Sequence, residues 1–200
     1  PFDEKHSVDH PVSLYAATKR SNELMAHTYS HLYGICSTGL RFFTVYGPWG
    51  RPDMAPMKFV NAILNRKPME IFNHGDMARD FTYIDDVVEI IFRLINKPAY
   101  SDYNFDKDNP NPSRSWSPHR IFNIANGKKV TLMKFINLLE EELGMPAIKQ
   151  FKEMQRGDVQ YTAANNKAIR DWVEYEPLID IGSGIKKFVE WYRQYYAEKN

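Results

Sequence analysis

A tyrosine and a lysine four positions apart, Tyr15 and Lys19, are the pair in this sequence best suited to act together on a substrate. Residues four apart on a helix share one face, so a lysine ammonium can stand beside a phenol. The positive charge favours phenolate and draws a tyrosine pKa, ordinarily about 10, toward neutrality. Such a tyrosine can take a proton from a sugar hydroxyl while a nicotinamide takes the hydride, and the lysine can also hydrogen-bond ribose hydroxyls. The spacing occurs at Tyr15/Lys19, Tyr103/Lys107 and Tyr195/Lys199, so it does not by itself select a pair. Tyr103 lies in a Pro- and Asn-rich stretch, and Tyr195 lies near a fraying end. Only Tyr15 opens a capped amphipathic helix that feeds an apolar strand. A plain surface pair is the alternative reading of the same two residues.

The elements that must position this pair follow from local pattern. Ser13 is an N-cap candidate, Leu14 to Tyr33 carries apolar residues at helical spacing, and Gly34 ends the run. The β-branched and aromatic run from Cys36 to Tyr46 predicts a buried strand, stopped by Gly47-Pro48. Beyond it the pattern predicts a helix over 57–65, a strand over 69–72, a turn at Asn73 to Asp76 and a strand over 80–83. Asp85 caps a helix over 86–95, and residues 98–119 form a long loop. A strand over 121–125, a helix over 132–143 closed by Gly144, a weak strand over 148–151 and helices over 166–173 and 185–196 complete the chain. The order fits an α/β fold, the C-terminal part of a Rossmann-type parallel sheet followed by a smaller α/β cap. Residues 1–48 hold the last helix and strand of the sheet domain, and residues 49–200 form the substrate-binding α/β region.

Composition narrows the class. The 200 residues carry 26 basic and 25 acidic side chains, so a net charge of +1 gives no field for nucleic acid or an anionic membrane. No apolar run reaches the roughly 18 residues needed to span a bilayer. A lone Cys36 makes no internal disulfide, which points to a reducing, cytoplasmic setting. The six histidines show no convincing ligand spacing, so no metal site is expected. By pattern alone, Phe42 and Phe72 read as core side chains, Arg79 as an ion-pair residue, and Asp85 and Asp86 as helix-capping charges. The opening Pro-Phe-Asp-Glu, without an initiator methionine, reads as the start of a piece of a longer chain.

Val12-Ser-Leu-Tyr15-Ala-Ala-Thr-Lys19 and Leu40-Arg-Phe-Phe-Thr-Val-Tyr-Gly-Pro48 resemble the extended short-chain dehydrogenase/reductases that act on nucleotide sugars. The match continues through Gly75-Asp76, Arg79-Asp-Phe-Thr-Tyr-Ile-Asp-Asp-Val87, Phe122-Asn-Ile-Ala125 and Gly157-Asp158-Val159. Trp49-Gly-Arg-Pro-Asp-Met54 is most similar to UDP-glucuronate 4-epimerases and their capsule and O-antigen relatives. The resemblance implies NAD as cofactor and a UDP-sugar as substrate. It implies Tyr15 as acid and base at the sugar O4, Lys19 on the nicotinamide ribose, and Phe42 beside the nicotinamide. It further implies Thr44 and Arg51 at the sugar carboxylate, Phe72 at the uracil, Arg79 on the diphosphate and Asp158 on the uridine ribose. Arginine's planar fork suits phosphate oxygens. Many relatives carry an arginine where Gln155 stands here, with Arg156 following it, so one charge on the diphosphate is shifted or missing.

The implied reaction is 4-epimerisation of UDP-glucuronate to UDP-galacturonate through a 4-keto intermediate, a β-keto acid prone to lose carbon dioxide. Thr44 and Arg51 would hold its carboxylate in a geometry that disfavours that loss. The alternatives are a UDP-N-acetylhexosamine epimerase, a decarboxylase or dehydratase of the same superfamily, or a non-catalytic nucleotide-sugar-binding module. None of the ten glycines forms a Gly-x-x-Gly-x-x-Gly turn for a dinucleotide. These residues alone are therefore expected to be inactive, and a homodimer is expected of the parent enzyme.

Overall fold

The computed structural model describes residues 1–155 and 157–197, so Arg156 and Lys199 lie outside the described residues. The helices are α1 (Leu14–Tyr33), α2 (Ala55–Leu64), α3 (Ile84–Ile95), α4 (Leu132–Leu143), α5 (Lys167–Val173) and α6 (Ile181–Ala197). The strands are β1 (Ser37–Phe42), β2 (Thr44–Tyr46), β3 (Pro68–Ile71), β4 (Ala78–Tyr83), β5 (His119–Ile124), β6 (Lys129–Thr131) and β7 (Ile148–Phe151). Contacts divide them into two compact units, one of residues 1–42, 89–124 and 164–176, the other of residues 43–88, 125–163 and 177–200. This grouping differs from a linear division at residue 48, because β1 takes its partner strand from much later in the chain.

In the first unit β1 and β5 run parallel, with Ser37 opposite His119 and Phe42 opposite Ile124. Helix α1 starts where expected: the Ser13 hydroxyl accepts the Ala16 N–H at 3.1 Å, and Gly34 closes it at φ 65°. Its apolar residues are not covered, and Leu14, Tyr15, Leu24, Met25, Tyr29 and Leu32 are all exposed. Strand β1 is half-buried rather than buried, while β5 is almost fully enclosed. Among the described residues β5 is the one strand laddered to β1. The start of the chain is tied in by the buried Glu4, whose carboxylate accepts the Asn123 N–H at 2.8 Å. The Asn123 side chain in turn donates to the carbonyls of Phe2 and Asn165.

The long loop before β5 is held to α1 by imidazoles. His27 Nε2 lies 2.6 Å from the Ser115 hydroxyl, and His31 Nδ1 lies 3.2 Å from that of Ser117. His119 Nδ1 lies 2.6 Å from the Ser37 hydroxyl, and its ring meets His27 edge-on at 5.4 Å. Burial lowers the pKa of both His27 and His119, helped by a neighbouring imidazole and, for His119, opposed by Glu23.

The second unit contains a sheet in the order β2-β4-β6, with β2 parallel and β6 antiparallel to β4, and a parallel pair β3-β7. The apparent single strand over 36–46 is thus two strands, because its two halves pair with different partners. Phe81 and Phe135 stack at 4.3 Å, and Tyr46 meets Phe81, Tyr83 and Phe135 edge-on. Helices α4 and α6 close this core through Phe135, Ile136, Leu139, Ile185, Phe188 and Val189, all buried. Helix α6 begins a turn earlier than its apolar stripe suggests, since Gly182 and Gly184 break the pattern without ending the helix. The short β6 was not anticipated.

The reading of Asp85 and Asp86 as charges at a helix N-terminus agrees with their position, and their contacts add a second role. Both lie inside the first turn of α3. Asp86 is buried and accepts the N–H groups of Leu178 and Ile179 at 3.0 and 3.1 Å, while Asp85 sits 3.6 Å from the Lys187 ammonium. Asp80, also buried, accepts the N–H groups of Asn126 and Gly127. Much of the Arg79 to Val87 motif is therefore scaffold that fixes neighbouring loops.

Two outcomes follow from this packing. A Cβ at Gly184 would collide with the Tyr46 hydroxyl. Gly184→Ala is therefore expected to destabilise the fold by about 1–3 kcal/mol in chemical denaturation; an unchanged midpoint would contradict that packing. His27 and His119 are held below their unfolded pKa of about 6.5, so the folded state binds fewer protons than the unfolded one. Their contribution is intact above that pH and declines as pH falls from about 6.5 toward the folded values. Urea titrations across this range should show lower stability on the acid side, and the slope should shrink in His27→Asn.

Candidate functional site

The second unit contains an open cavity of about 850 Å³, within the ordinary range for small-molecule sites. Its apolar lining comes from Met54, Phe59, Met69, Met77, Phe81 and Leu132, and its polar lining includes Thr44, Lys58, Arg79, Gln150, Gln155 and Asp158. Phe72 lines the same space. Of the six residues expected at the nucleotide sugar, five (Thr44, Phe72, Arg79, Gln155 and Asp158) thus meet in one cavity. Arg51 does not line it; its neighbour Asp53 does.

Each of these side chains is placed by an identifiable local feature. Thr44 opens β2 and sits opposite Phe81 of β4. Phe72 follows β3 at the head of a tight turn in which Asn73 and His74 take left-handed backbone angles, φ 48° and 50°. That turn is pinned from just past the end of β7, where Lys152 donates its N–H to the Ile71 carbonyl and its carbonyl accepts the N–H of His74. Arg79 is held most firmly. Its Nη1 donates to the carbonyls of Ala78 and Gln160, both at 3.0 Å, and its Nη2 donates to Asp158 Oδ1 at 2.9 Å. One guanidinium thereby joins β4 to the segment that carries Asp158. The same segment is fastened a second time, through Gln160 and Tyr161, which both donate to the Asp76 carboxylate. Arg51 forms a two-bond ion pair with Asp53, and hydrogen bonding from Arg51 holds the Asp53 carboxyl below the usual carboxylate range.

Tyr15, Lys19 and Phe42 belong to the first unit. The Lys19 ammonium lies over the Tyr15 ring, 5.2 Å from its centroid, so the i,i+4 pair is formed. Tyr15 is 71% exposed. Phe42 is the last residue of β1 and is half exposed. Sequence reading did not pick out Asp53, Lys58, Met69, Met77 or Gln150 as lining residues. Their only signal was alternation on β3 and β7 or proximity to a motif, and neither distinguishes a cavity wall from ordinary surface.

The family model described as NAD dependent epimerase/dehydratase family matches residues 1–105. The chain belongs to this family. It is 51% identical over 198 residues to Protein CapI of Staphylococcus aureus, covering 99% of this chain and 59% of that protein. It is 46% identical over 197 residues to the probable UDP-glucuronate 4-epimerase of Rhizobium meliloti (strain 1021), covering 98% and 58%. Among solved structures it is similar to the UDP-glucuronic acid 4-epimerase of Bacillus cereus in complex with UDP-glucuronic acid and NAD. There the TM-score is 0.78 at 30% identity, over 94% of this chain and 55% of that one. The chain thus spans somewhat over half the length of these proteins. The α/β architecture with parallel strand pairs described above agrees with that likeness. Among the described residues no helix is long and apolar enough to cross a membrane, and no group of three or more His, Cys, Asp or Glu could hold a metal ion.

Proposed function

We propose that this chain is the catalytic-tyrosine and nucleotide-sugar-binding part of an NAD-dependent 4-epimerase that converts UDP-glucuronate to UDP-galacturonate. The observation that carries this reading is the convergence of Thr44, Phe72, Arg79, Gln155 and Asp158 on one cavity of about 850 Å³. The likeness to proteins named as UDP-glucuronate 4-epimerases supports the choice of sugar. Phe72 stacks on or borders the uracil, Asp158 accepts from the uridine ribose, and Arg79 meets the diphosphate with N–H donors fixed in direction. Thr44 and Arg51 hold the C5 carboxylate so that its bond to C5 stays out of alignment with the C4 ketone, which disfavours decarboxylation.

Tyr15 removes the O4 proton as the C4–H bond breaks and returns a proton to O4 once the ketone has presented its other face. Lys19, already over the tyrosine ring, stabilises the charge on that oxygen and hydrogen-bonds the nicotinamide ribose. Phe42, exposed at the end of β1, borders the nicotinamide ring. The formed Tyr15–Lys19 pair fits that end of the cofactor. NAD+ supplies the acceptor, and afterwards the donor, of the C4 hydride. A homodimer of the complete enzyme belongs to the same reading, and the lone Cys36 fits a reducing, cytoplasmic setting.

The test uses the full-length protein in ordinary water with UDP-glucuronate deuterated at C4. UDP-galacturonate retaining deuterium at C4 is expected, with conversion abolished in Tyr15→Phe. Loss of the label to solvent would contradict the hydride mechanism. Turnover of UDP-N-acetylglucosamine instead, or release of carbon dioxide as the main path, would contradict the assignment of substrate and product.

A further inference from the structure

The charged lining of the cavity is balanced: Lys58, Lys67 and Arg79 face Asp53, Glu70 and Asp158. A UDP-linked sugar acid adds the negative charges of its diphosphate and a further one at C5. Positive charge from outside the lining would favour such a ligand, and two arginines stand two residues from a lining carboxylate: Arg156, outside the described residues, and Arg51. The Arg51 fork is already occupied. Nε donates to Asp53 Oδ1 at 3.2 Å and Nη2 to Asp53 Oδ2 at 2.8 Å. That is the two-bond arrangement a sugar carboxylate would itself offer.

The backbone around the pair is fixed at both sides. Trp49 adopts φ 62°, and its indole packs against Trp191 and Tyr195 at 5.6 and 4.8 Å. The Met54 N–H donates to the Arg51 carbonyl at 3.1 Å, just before α2 begins. Both partner side chains are largely exposed, at 73% for Arg51 and 64% for Asp53. The pair is thus a loose side-chain contact on a braced loop, able to exchange without moving the backbone.

We propose that Asp53 is an internal competitor for Arg51, selectively lowering the affinity of the site for UDP-sugars that carry a carboxylate. This rests on the reading of Arg51 as the carboxylate-facing residue given above. With a neutral sugar the Arg51–Asp53 pair stays closed. With an acidic sugar Arg51 exchanges one carboxylate for another, and Asp53 remains as a nearby like charge. Substrate and product of a C4 epimerisation carry the same carboxylate, so the competition weakens both and helps the product leave.

The experiment measures calorimetric affinities of the full-length holoenzyme for UDP-glucuronate and UDP-glucose, in wild type, Asp53→Asn, Arg51→Ala and the double variant. Asp53→Asn should tighten UDP-glucuronate about three-fold more than it tightens UDP-glucose, the scale of an exposed ion pair. The gain should vanish in the Arg51→Ala background. Equal effects on both ligands, a gain that survives without Arg51, or weaker UDP-glucuronate binding in Asp53→Asn would each overturn the proposal. Wild type that binds UDP-glucose but not UDP-glucuronate would overturn the substrate reading and this inference with it. Wild type that prefers UDP-glucuronate, with no effect of Asp53→Asn, would overturn this inference alone.

Discussion

The cavity depends on one guanidinium. Arg79 is only 20% exposed, and its N–H groups are shared among the carbonyls of Ala78 and Gln160 and the Asp158 carboxylate. Without those bonds the 158–160 segment would keep its Asp76 links and the backbone bridge at Ala78, whose N–H donates to the Gln160 carbonyl at 3.1 Å, but Asp158 would lose the side-chain bond that ties it to β4. A charged hydrogen bond to a fixed partner is worth more than a neutral one, and leaving its partners unmet costs more still. Arginine suits this position because its planar fork can hold three acceptors and still present an N–H edge to phosphate oxygens. Structure and binding thereby draw on the same side chain.

Around this centre the motif residues divide into those that face the cavity and those that brace it. Arg79 and Phe81 line the cavity, whereas Asp80 and Asp86 are spent on the backbone at 126–127 and 178–179. A buried carboxylate that accepts backbone N–H groups fixes a loop without a ladder, and that suits a region whose strands are short. Phe81 serves both purposes, since it also stacks on Phe135 in the core.

How far the sequence could be read depended on the type of signal. Helices α1 and α4 were legible to the residue, because a capping hydroxyl and a left-handed glycine bound each of them: Ser13 and Gly34, Thr131 and Gly144. The first turn of α6 was hidden because two glycines dilute the apolar period, although Gly184 is there to let Tyr46 approach. The run over 36–46 reads as one strand since pairing partners leave no mark on a strand's own residues. The β1 half of that run is only half-buried within these 200 residues, since apolar character shows what could be covered, not what covers it. The place of Asp85 and Asp86 at a helix N-terminus was local and readable, while the partners that tie them to other segments lie about a hundred residues away and leave no local mark.

The site was legible in a different way. Periodicity alone assigned Phe42 and Phe72 to a core and Arg79 to a surface ion pair, and the Arg79–Asp158 pair does exist. Only the resemblance, motif by motif, grouped Thr44, Phe72, Arg79, Gln155 and Asp158 before any coordinates did. The resemblance grouped Arg51 with them as well, but Arg51 does not line the cavity and is paired with Asp53, which does. The measurement that bears most directly on this picture is a calorimetric titration of UDP into the full-length protein and its Arg79→Met variant. UDP binding that weakens by roughly ten-fold or more in a still-folded variant is expected, the scale of a charged hydrogen bond lost. Equal affinity in the two proteins would contradict the placement of the diphosphate at Arg79.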